Sequence, residues 1–538
     1  MAEFFTRQRH VVGLALLTLF LSFGSFFMDG DVSLNLSDEG YLWYGVRAVN
    51  AGQVPIRDFQ AYDPGRYYWA AGFSYFFGED LVALRAGCVL FQCLGILAGL
   101  LAARRLSRDW KFLLPVALIF VMWMIPRYKV FEQSIALIAI YAAVRLVERP
   151  TLRQHFVTGI FVGLMAFIGR NHGLYQLAGF GLAILLLARG AWSALPKRMG
   201  MWGAGIAVGY LPQLAMVAFV PGYFAAFLAL LDRNVTIGSN VALPVPWPWL
   251  LPKEYDPIMA SNWFAEGFFY CGIVALIAFA AIRLPFLTRE KLQGNAVFVA
   301  AACMVPPYAH HTFSRADYVH LAHSAPGLSI AILAVCFMVR PGVQRWLPMS
   351  AAGALVLISA LATWMHMPLF AEALSPAGAF VEMKVAGRTM HVAKDIASVV
   401  MIGEKLAGAM AKPDEPILFA PHWPGLYAVT NRLSPVQHLY FTRPTPNLDS
   451  RTVAEMKKSG VKWVMLQDYA LDGRDELRFK NTNPLMCAYL RESFDRVAVP
   501  GLPPNSLILR LREPAGSPAF SGTRSVPADS GAIPTLAQ

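Results

Sequence analysis

The chain carries little charge for its length, which argues against a soluble globular protein. Only 15% of its 538 residues are charged and 56% are hydrophobic, whereas about a quarter of an average soluble domain is charged. Long apolar runs account for this composition and indicate a membrane protein. The formal net charge of +12 falls mostly in short clusters between these runs. It therefore indicates membrane topology, and no nucleic-acid partner is predicted.

Cysteines and the common cofactor motifs are also scarce. Five of the six cysteines lie in apolar runs and the sixth, Cys487, stands alone, so neither a disulfide framework nor a cysteine metal site is predicted. The chain contains no Walker loop, no G-x-G-x-x-G and no H-E-x-x-H motif. No small-residue cleavage site follows the first apolar run, so we expect that run to remain as a membrane span.

Eleven apolar runs are predicted to cross the membrane, although several are shorter than the roughly 20 residues of a full span. They are residues 11–28, 81–103, 112–126, 130–147, 156–169, 173–188, 199–220, 263–282, 296–308, 321–339 and 346–365. Every loop on one side of this pattern is basic, for example the loop with Arg104, Arg105 and Arg108, which predicts that this side is cytoplasmic. The N-terminus is then cytoplasmic and the C-terminus lies outside.

The composition changes near residue 368, where the transmembrane domain (residues 1–367) is predicted to end. Residues 368–411 have helical periodicity and are predicted to form a helical connector. Residues 412–513 alternate strand-like runs (PILFAP, KWVMLQD, NSLILRLR) with a helical run (DSRTVAEMKKSG), which predicts a small soluble α/β domain outside the membrane. Residues 514–538 are rich in Pro, Ser, Gly and Ala and are predicted to be disordered. The predicted fold class is a polytopic α-helical membrane protein with this small α/β domain.

The segment after the first apolar run differs from an ordinary connecting loop. Residues 29–80 form the predicted first outer loop, and LSDEGYLWYGVRAVNAGQVPIRDFQAYDPGRYYW within it mixes charges with aromatic residues. An interfacial aromatic belt with solvated charges is one interpretation. That interpretation does not explain why two carboxylates, Asp38 and Glu39, stand together at the exit of a helix. The pair therefore favours a functional segment.

Four basic residues lie on the predicted outer side, against the usual charge bias of membrane proteins. They are Arg127 and Lys129 in PRYKVFEQ, Arg170 in GRNHGLY and Arg315 in HHTFSRADYVH. A salt bridge, or a side chain that extends to a lipid phosphate, would explain any one of them. As a set, in the same compartment as the acidic pair, they predict that an anion binds at the outer membrane face.

Histidines near two of these cations form a further cluster. Asp317 and His320 would share one helix face, because they are three residues apart. Three interpretations stay open: histidines hydrogen-bonded at the interface, a donor contact by His320, or a metal site that Asp38 joins. His172, beside Arg170, is similar. A divalent cation is thus an open alternative, and no other cofactor is indicated.

These residues and their order resemble the C-type glycosyltransferase (GT-C) superfamily. SDEGYLWYG at the first membrane exit is similar to the acidic motif of its protein O-mannosyltransferase and aminoarabinose transferase branch. VPIRDFQAYDPGRYYW is similar to the following segment of that branch, although Asp63-Pro64-Gly65 stands where a Pro-Pro pair is usual. The loops PRYKVFE, GRNHGLY and SRADYVHLAH also resemble loops of bacterial relatives. The resemblance covers roughly residues 11–330.

The resemblance implies a membrane glycosyltransferase of the bacterial inner membrane, with its C-terminal domain in the periplasm. Its donor would be a sugar on a polyprenyl phosphate, and its acceptor a hydroxyl of a lipid, glycan or protein. One carboxylate can suffice as general base, because the lipid phosphate is already a good leaving group. Asp38 is the implied base with Glu39 assisting, and the reverse order stays open.

The resemblance also suggests roles for residues outside the acidic pair. The implied ligands of the donor phosphate are Arg127, Lys129, Arg170 and Arg315. The implied contacts of the substrates are Asp63, Arg66, Tyr67, His172, Asp317 and His320. Membrane lipids are the remaining expected partners.

Two other functions stay open. A transporter or flippase of lipid-linked sugars would line a path through the membrane with cations, whereas the ionisable residues here cluster on one side. A sugar-binding or assembly scaffold would not need an intact acidic pair.

Overall fold

The computed structural model describes residues 2–238, 241–339, 341–344, 346–445, 447–503, 505–512 and 525–526. The part before residue 368 is helical. Its α-helices are α1 (Ala2–Asp29), α2 (Asp38–Asn50), α3 (Pro64–Phe77), α4 (Leu81–Ala103), α5 (Trp110–Met122), α6 (Val130–Glu148), α7 (Leu152–Ile168), α8 (Arg170–Ala188), α9 (Leu195–Gly209), α10 (Leu211–Phe219), α11 (Tyr223–Ile237), α12 (Pro257–Arg283), α13 (Arg289–Gly294), α14 (Ala296–Ser314), α15 (Tyr318–Leu321), α16 (Ala325–Cys336), α17 (Pro341–Gln344) and α18 (Leu347–Thr363).

Six helical segments are long and apolar enough to cross a membrane, or seven if α9 and α10, which are bent by 53° at their junction, count as one span. The six are Gln8–Asp29, Leu81–Ala103, Arg127–Glu148, Arg170–Ala188, Pro257–Phe286 and Leu347–His366. The chain is therefore a multi-pass membrane protein. The eleven predicted apolar runs all overlap helices, but α5, α7 and α16 have only 13, 17 and 12 residues. Eleven spans are thus not established, because helix ends interrupt several runs before they reach the length of a bilayer.

Small residues allow α7 and α9 to pack closely. Gly159 and Gly163 of α7 face Gly205 and Gly209 of α9, and a Cβ at any of the four would overlap the backbone of the opposite helix. Glycines four residues apart on each of two facing helices are typical of close contacts between membrane helices. A larger residue at this contact would force the two helices apart.

The part after residue 367 combines helices with two sheets. Its helices are α19 (Pro368–Leu374), α20 (Lys394–Lys405), α21 (Pro424–Val429), α22 (Leu448–Ser459), α23 (Phe479–Thr482) and α24 (Pro484–Ser493), and its strands are β1 (Phe380–Val385), β2 (Arg388–Ala393), β3 (Ile417–Ala420), β4 (Trp463–Gln467), β5 (Phe494–Val497), β6 (Ser506–Leu511) and β7 (Ser525–Val526). The five-stranded sheet has the order β3-β4-β6-β5-β7. In it β3 and β4 are parallel and the other pairs antiparallel. The three predicted strands and the predicted helix all form in this small α/β part.

The prediction of a helical connector over residues 368–411 is wrong in its middle, where β1 and β2 form an antiparallel hairpin. Ala386 and Gly387 at its turn have φ of +47° and +87°, and positive φ at both central residues is typical of a tight hairpin turn. Val385, Met390 and Val392 are buried by the hairpin. Met390 and Val392 alternate with Thr389 and His391 along β2, which is the period of a strand and overrides the helical pattern.

The predicted disordered tail, residues 514–538, lies outside the described residues except for β7. These two residues pair with β5, where Val526 lies opposite Arg496.

The C-terminal part packs against the chain that follows α1. The Ser33 amide donates to the His391 carbonyl at 2.7 Å, and the His391 amide donates to the Asp31 carbonyl at 2.9 Å. The amide of Gly425, in α21, donates to the Leu36 carbonyl at 2.8 Å, and a Cβ on Gly40 of α2 would overlap Gly425. Two glycines in contact thus bring α21 against the first turn of α2, which begins at Asp38.

Candidate active site

A polar cavity of about 460 Å³ lies between the helical part and the C-terminal part. Segments that are distant in the sequence supply its side chains. Those able to take part in chemistry or in binding an anion include Asp38, Tyr62, Tyr128, Lys129, Arg233, Arg315, Asp317, His320, His422, His438, Tyr440 and Arg443. We refer to this space as the polar cavity.

Asp38 lies in the polar cavity at the N-terminal end of α2. The hydroxyl of Tyr128 donates to its Oδ2 at 3.2 Å, and the hydroxyl of Tyr440 lies 3.3 Å from its Oδ1. Burial raises the pKa of Asp38, but nearby Lys129 and His422 and the two hydroxyls outweigh burial and leave the pKa below its ordinary value. Asp38 is therefore an ionised carboxylate that faces open space and can accept a proton.

Glu39 has a different environment, although it is adjacent in sequence. It is 3% exposed, and its two carboxylate oxygens accept hydrogen bonds from Arg85 at 2.8 and 2.7 Å. Arg85 also donates to the carbonyls of Gly30 and Ser33, at 2.7 and 2.8 Å. Glu39 does not line the polar cavity. This geometry favours a structural role for Glu39, which anchors the segment between α1 and α2, over the predicted catalytic one.

Of the four predicted phosphate ligands, Lys129 and Arg315 line the polar cavity. No carboxylate of the described residues forms a salt bridge with Lys129, so its ammonium group is available to a ligand. The Arg315 guanidinium bonds to Asp317 at 2.8 Å and to both carboxylate oxygens of Asp472 at 2.8 Å. Two carboxylates therefore neutralise the charge of Arg315 and hold its donors, which argues against the predicted phosphate contact.

The other two predicted phosphate ligands lie elsewhere. Arg127 donates to the carbonyls of Asp29 and Val32 and borders an apolar groove described below. Arg170 pairs with Asp63, whose two carboxylate oxygens accept from the Arg170 side chain at 2.9 Å and from its amide at 2.8 Å. Neither arginine lines the polar cavity, because local partners hold both guanidinium groups.

Four of the six predicted substrate contacts are packed inside the protein and not on the polar cavity. Asp63 is engaged by Arg170. Arg66 forms a buried ion pair with Glu132 at 2.8 Å, and Tyr67 accepts a hydrogen bond from the Tyr62 amide at 3.1 Å. His172 is 4% exposed, with its Nδ1 3.3 Å from the hydroxyl of Tyr308. The remaining two, Asp317 and His320, line the cavity as a bonded pair, with Oδ1 and Nδ1 2.6 Å apart.

The rings of the histidines near this pair pack against one another. The His311 ring lies 4.6 Å from the ring of His320 and 4.7 Å from that of His323, measured between centroids. Among the described residues, no group of three or more His, Cys, Asp or Glu side chains converges as a metal site would require. The residues present therefore do not fit the metal interpretation, and we assign no step to a metal.

An apolar groove of about 490 Å³ adjoins the polar cavity. Its apolar lining comes largely from α1, the end of α5 and the start of α19, including Phe20, Leu21, Phe26, Met122, Ile125, Leu369 and Phe370. Asn35, Tyr128 and Tyr318 line both spaces. A ligand with a polar head and a long apolar chain could therefore occupy both at once.

Several cavity residues were not predicted from the sequence. Arg233 of α11 has no carboxylate partner in the described chain, and its Nη1 lies 3.4 Å from Nδ1 of His438. The sequence could have indicated Arg233 as a further cation, because it lies in a predicted outer segment. Tyr440 and His422 belong to the C-terminal part, about 400 residues after Asp38. No local pattern relates them to Asp38, because only the packing of the two parts brings them together.

Comparisons with known proteins identify the fold. A scan against protein-family models and a search of curated proteins found no match. Among solved structures, ArnT from Cupriavidus metallidurans in the apo state aligns with a TM-score of 0.50 and 13% identity over 94% of this chain and 98% of that chain. The same ArnT bound to undecaprenyl phosphate aligns with a TM-score of 0.47 and 14% identity, over 93% of this chain and 97% of that chain. A third structure is archaeal oligosaccharyltransferase AglB from Archaeoglobus fulgidus in complex with an inhibitory peptide and a dolichol-phosphate. It aligns with a TM-score of 0.48 and 11% identity, over 94% of this chain and 76% of that chain.

At these identities the likeness establishes the fold and not the activity. It extends over nearly the whole of both chains in the apo ArnT comparison, so it includes the C-terminal part as well as the helices. The chain therefore has the fold of the GT-C glycosyltransferases.

Proposed function

We propose that the protein is a glycosyltransferase that moves a hexose or pentose from a polyprenyl-phosphate donor to an acceptor hydroxyl. One observation carries the proposal: a polar cavity with an ionised carboxylate and available cations adjoins an apolar groove and shares three wall residues with it. A lipid phosphate sugar has a matching polar head and apolar chain. The shared fold with ArnT, which has been solved with undecaprenyl phosphate, supports this donor class.

Asp38 is the proposed general base. Its carboxylate takes the proton of the acceptor hydroxyl as the acceptor oxygen bonds to the anomeric carbon. The bond from that carbon to the phosphate oxygen breaks, and the polyprenyl phosphate leaves with the electron pair. Lys129 and Arg233 stabilise the negative charge that develops on the phosphate.

The acceptor is proposed to arrive through a second space, the side cavity, of about 450 Å³. Residues of α11, the first outer segment and the C-terminal part line it. Five residues line both the side cavity and the polar cavity: Gln60, Arg233, Ile237, His438 and Thr445. The side cavity shares no lining residue with the apolar groove, so an acceptor in it would use a different space from the donor lipid. A hydroxyl of a lipid, glycan or protein is compatible with this route.

We propose that the site lies at the outer face of a bacterial inner membrane. Arg85, near the start of α4, bonds to Glu39 beside the site, whereas Arg104, Arg105 and Arg108 follow the end of the same helix. A helix of 23 residues is about 34 Å long, enough to cross a bilayer. The basic end is then cytoplasmic by the usual charge bias, and the C-terminal part is periplasmic.

The alternative function is a transporter or flippase of lipid-linked sugars. It would require polar groups along a path across the membrane. The available cations of the polar cavity instead lie on one side of the helical part, beside a candidate base. This placement favours transfer over transport.

The direct test is to incubate the purified protein with a panel of polyprenyl-phosphate sugars and to follow sugar release or transfer by mass spectrometry. Transfer or slow release from at least one donor is expected, and it should be lost in Asp38→Asn. In proteoliposomes, movement of the intact donor between leaflets, with no cleavage by wild-type protein, would instead establish the transporter.

A further inference from the structure

A chain of hydrogen bonds runs from the C-terminal part to the polar cavity and ends at His320. Asp472 accepts two bonds from Arg315, and Arg315 Nε donates to Asp317 Oδ2 at 2.8 Å. The other oxygen of Asp317 lies 2.6 Å from Nδ1 of His320 and also accepts from the His320 amide at 2.9 Å. The ring packs against His311, with centroids 4.6 Å apart. The orientation of His320 is thus fixed from several directions.

This chain determines which ring nitrogen carries the proton. Burial raises the pKa of Asp317, but the contacts with His320 outweigh it and hold that pKa at about 2, so Asp317 is an acceptor only. Nδ1 must therefore be the donor, and in a neutral imidazole Nε2 then has a free lone pair. Nε2 has no hydrogen-bond partner among the described residues, and His320 lines the polar cavity.

An unprotonated Nε2 suits a hydroxyl and not a phosphate oxygen, since the lone pair attracts a donor and repels an anion. His320 itself does not line the apolar groove, but a neighbour in the chain does. Tyr318, two residues before it, lines both the polar cavity and the apolar groove, whereas His320 does not line the side cavity. A sugar attached to a lipid in the groove would enter the polar cavity beside it.

We propose that Nε2 of His320 accepts a hydrogen bond from a hydroxyl of the donor sugar, and that Asp317 is the positioning residue that holds the proton of the neutral ring on Nδ1. This contact would distinguish sugar-bearing lipid from the spent carrier lipid. The proposal rests on the glycosyltransferase function proposed above.

The surroundings favour the neutral ring. Burial lowers the pKa of His320, Asp317 raises it, and Lys129 and Arg315 lower it, with the net result below the usual value of 6.5. His311, which is partly buried, packs against the ring, and the nearby His323 is fully buried. The lone pair is therefore present at neutral pH and is lost only as the pH falls through the lowered pKa.

The test compares two amide substitutions at one site. In His320→Asn the amide can replace Nδ1 and keep the bond to Asp317, but nothing replaces Nε2. In His320→Gln the longer side chain can place an amide oxygen near the position of Nε2. His310→Asn is the matched control, because His310 is exposed on α14 and its Nδ1 contacts the hydroxyl of Tyr175 outside the cavity. Equilibrium binding in nanodiscs is measured for undecaprenyl phosphate and for its glucose, mannose, galactose and arabinose phosphodiesters.

For the sugar lipid that wild-type protein binds best, His320→Asn should weaken binding roughly 3- to 10-fold, the usual range for one hydrogen bond. Binding of undecaprenyl phosphate should not change, His320→Gln should retain most of the sugar-specific affinity, and the control should match wild type. The part of the affinity that depends on the sugar should also decline in acid in the wild-type protein, but not in His320→Gln. If His320→Asn does not fold, Asp317→Asn, which frees the ring tautomer, should lose part of the same affinity.

The other outcomes overturn the proposal in different ways. Equal weakening of all five lipids would assign His320 to the phosphate, and no weakening would leave it a packing role. If wild-type protein binds undecaprenyl phosphate but gains nothing from any sugar, the proposal fails while the lipid-phosphate site stands. If wild-type protein binds none of the lipids, the proposed function fails as well.

Discussion

Replacing Glu39 by glutamine should destabilise the protein much more than it impairs the chemistry. The side chains of Glu39 and Arg85 are only 4% and 2% exposed, and both carboxylate oxygens accept from the guanidinium. Glu39→Gln keeps the size but leaves the Arg85 charge buried without its counter-ion. Removing one partner of a buried pair typically costs about 3–5 kcal/mol. The carbonyls of Gly30 and Ser33 still accept from Arg85, so we expect the lower end of that range.

The assay is thermal unfolding in detergent, followed by the fluorescence of the 13 tryptophans, together with single-turnover transfer on the folded fraction. Asp38→Asn is the matched control, because it makes the same chemical change one residue earlier at a side chain that faces the cavity. It should unfold near the wild-type temperature and lose transfer. Glu39→Gln should unfold at a clearly lower temperature and retain transfer per folded molecule.

A double variant separates charge from packing. Arg85→Met with Glu39→Leu removes both buried charges, and apolar replacement of a buried pair is often neutral or stabilising. In the double variant, part of the stability lost in Glu39→Gln should remain lost, because the contacts of Arg85 with the carbonyls of Gly30 and Ser33 are also removed. If Glu39→Gln unfolds like wild type but has lost transfer, the assignment of Glu39 to structure is wrong, and it returns to the mechanism.

Further predictions concern the site and the topology. Asp38→Asn should lower single-turnover transfer about 10²- to 10⁴-fold at matched donor occupancy, and near-normal transfer would remove Asp38 as base. Lys129→Ala or Arg233→Ala should each weaken binding of undecaprenyl phosphate by about 1.5–3 kcal/mol, and normal affinity in both variants would place the phosphate elsewhere. Tyr440→Phe removes a hydrogen bond that stabilises the Asp38 carboxylate, so the acid limb of the transfer rate should move to higher pH, and an unchanged pH profile would contradict this role. A cysteine at Ser450 should be labelled from the periplasmic side, and labelling only after the cytoplasmic face is opened would reverse the proposed orientation.

Periodicity and composition predict much of the fold here. The low charge and the apolar runs predicted a multi-pass membrane protein, and the alternating runs after residue 412 predicted the strands that form β3, β4 and β6. The hairpin of β1 and β2 was missed because its residues also have helical periodicity. The alternation of Val381, Met383 and Val385 with Glu382 and Lys384 is the signal that could have identified it.

At the site, the sequence indicated the segment but not the role of each side chain. It identified Asp38, Lys129, Asp317 and His320, which line the polar cavity. It could not separate Asp38 from Glu39, since the two are adjacent in sequence and only the position of Arg85 decides which is buried. The sequence also could not show that Arg170 is engaged by a carboxylate, since its partner Asp63 is 107 residues away.

The sequence by itself determined the properties that depend on near neighbours: membrane insertion, helix and strand periods, and the acidic pair at the start of α2. The tertiary structure alone decided which charges cancel and which remain available. An ion pair such as Arg66–Glu132 forms between residues 66 positions apart, and Tyr440 contacts Asp38 from 402 positions away. Charge pairing and burial act over a few ångströms in space and do not depend on separation along the chain, so no local pattern contains them.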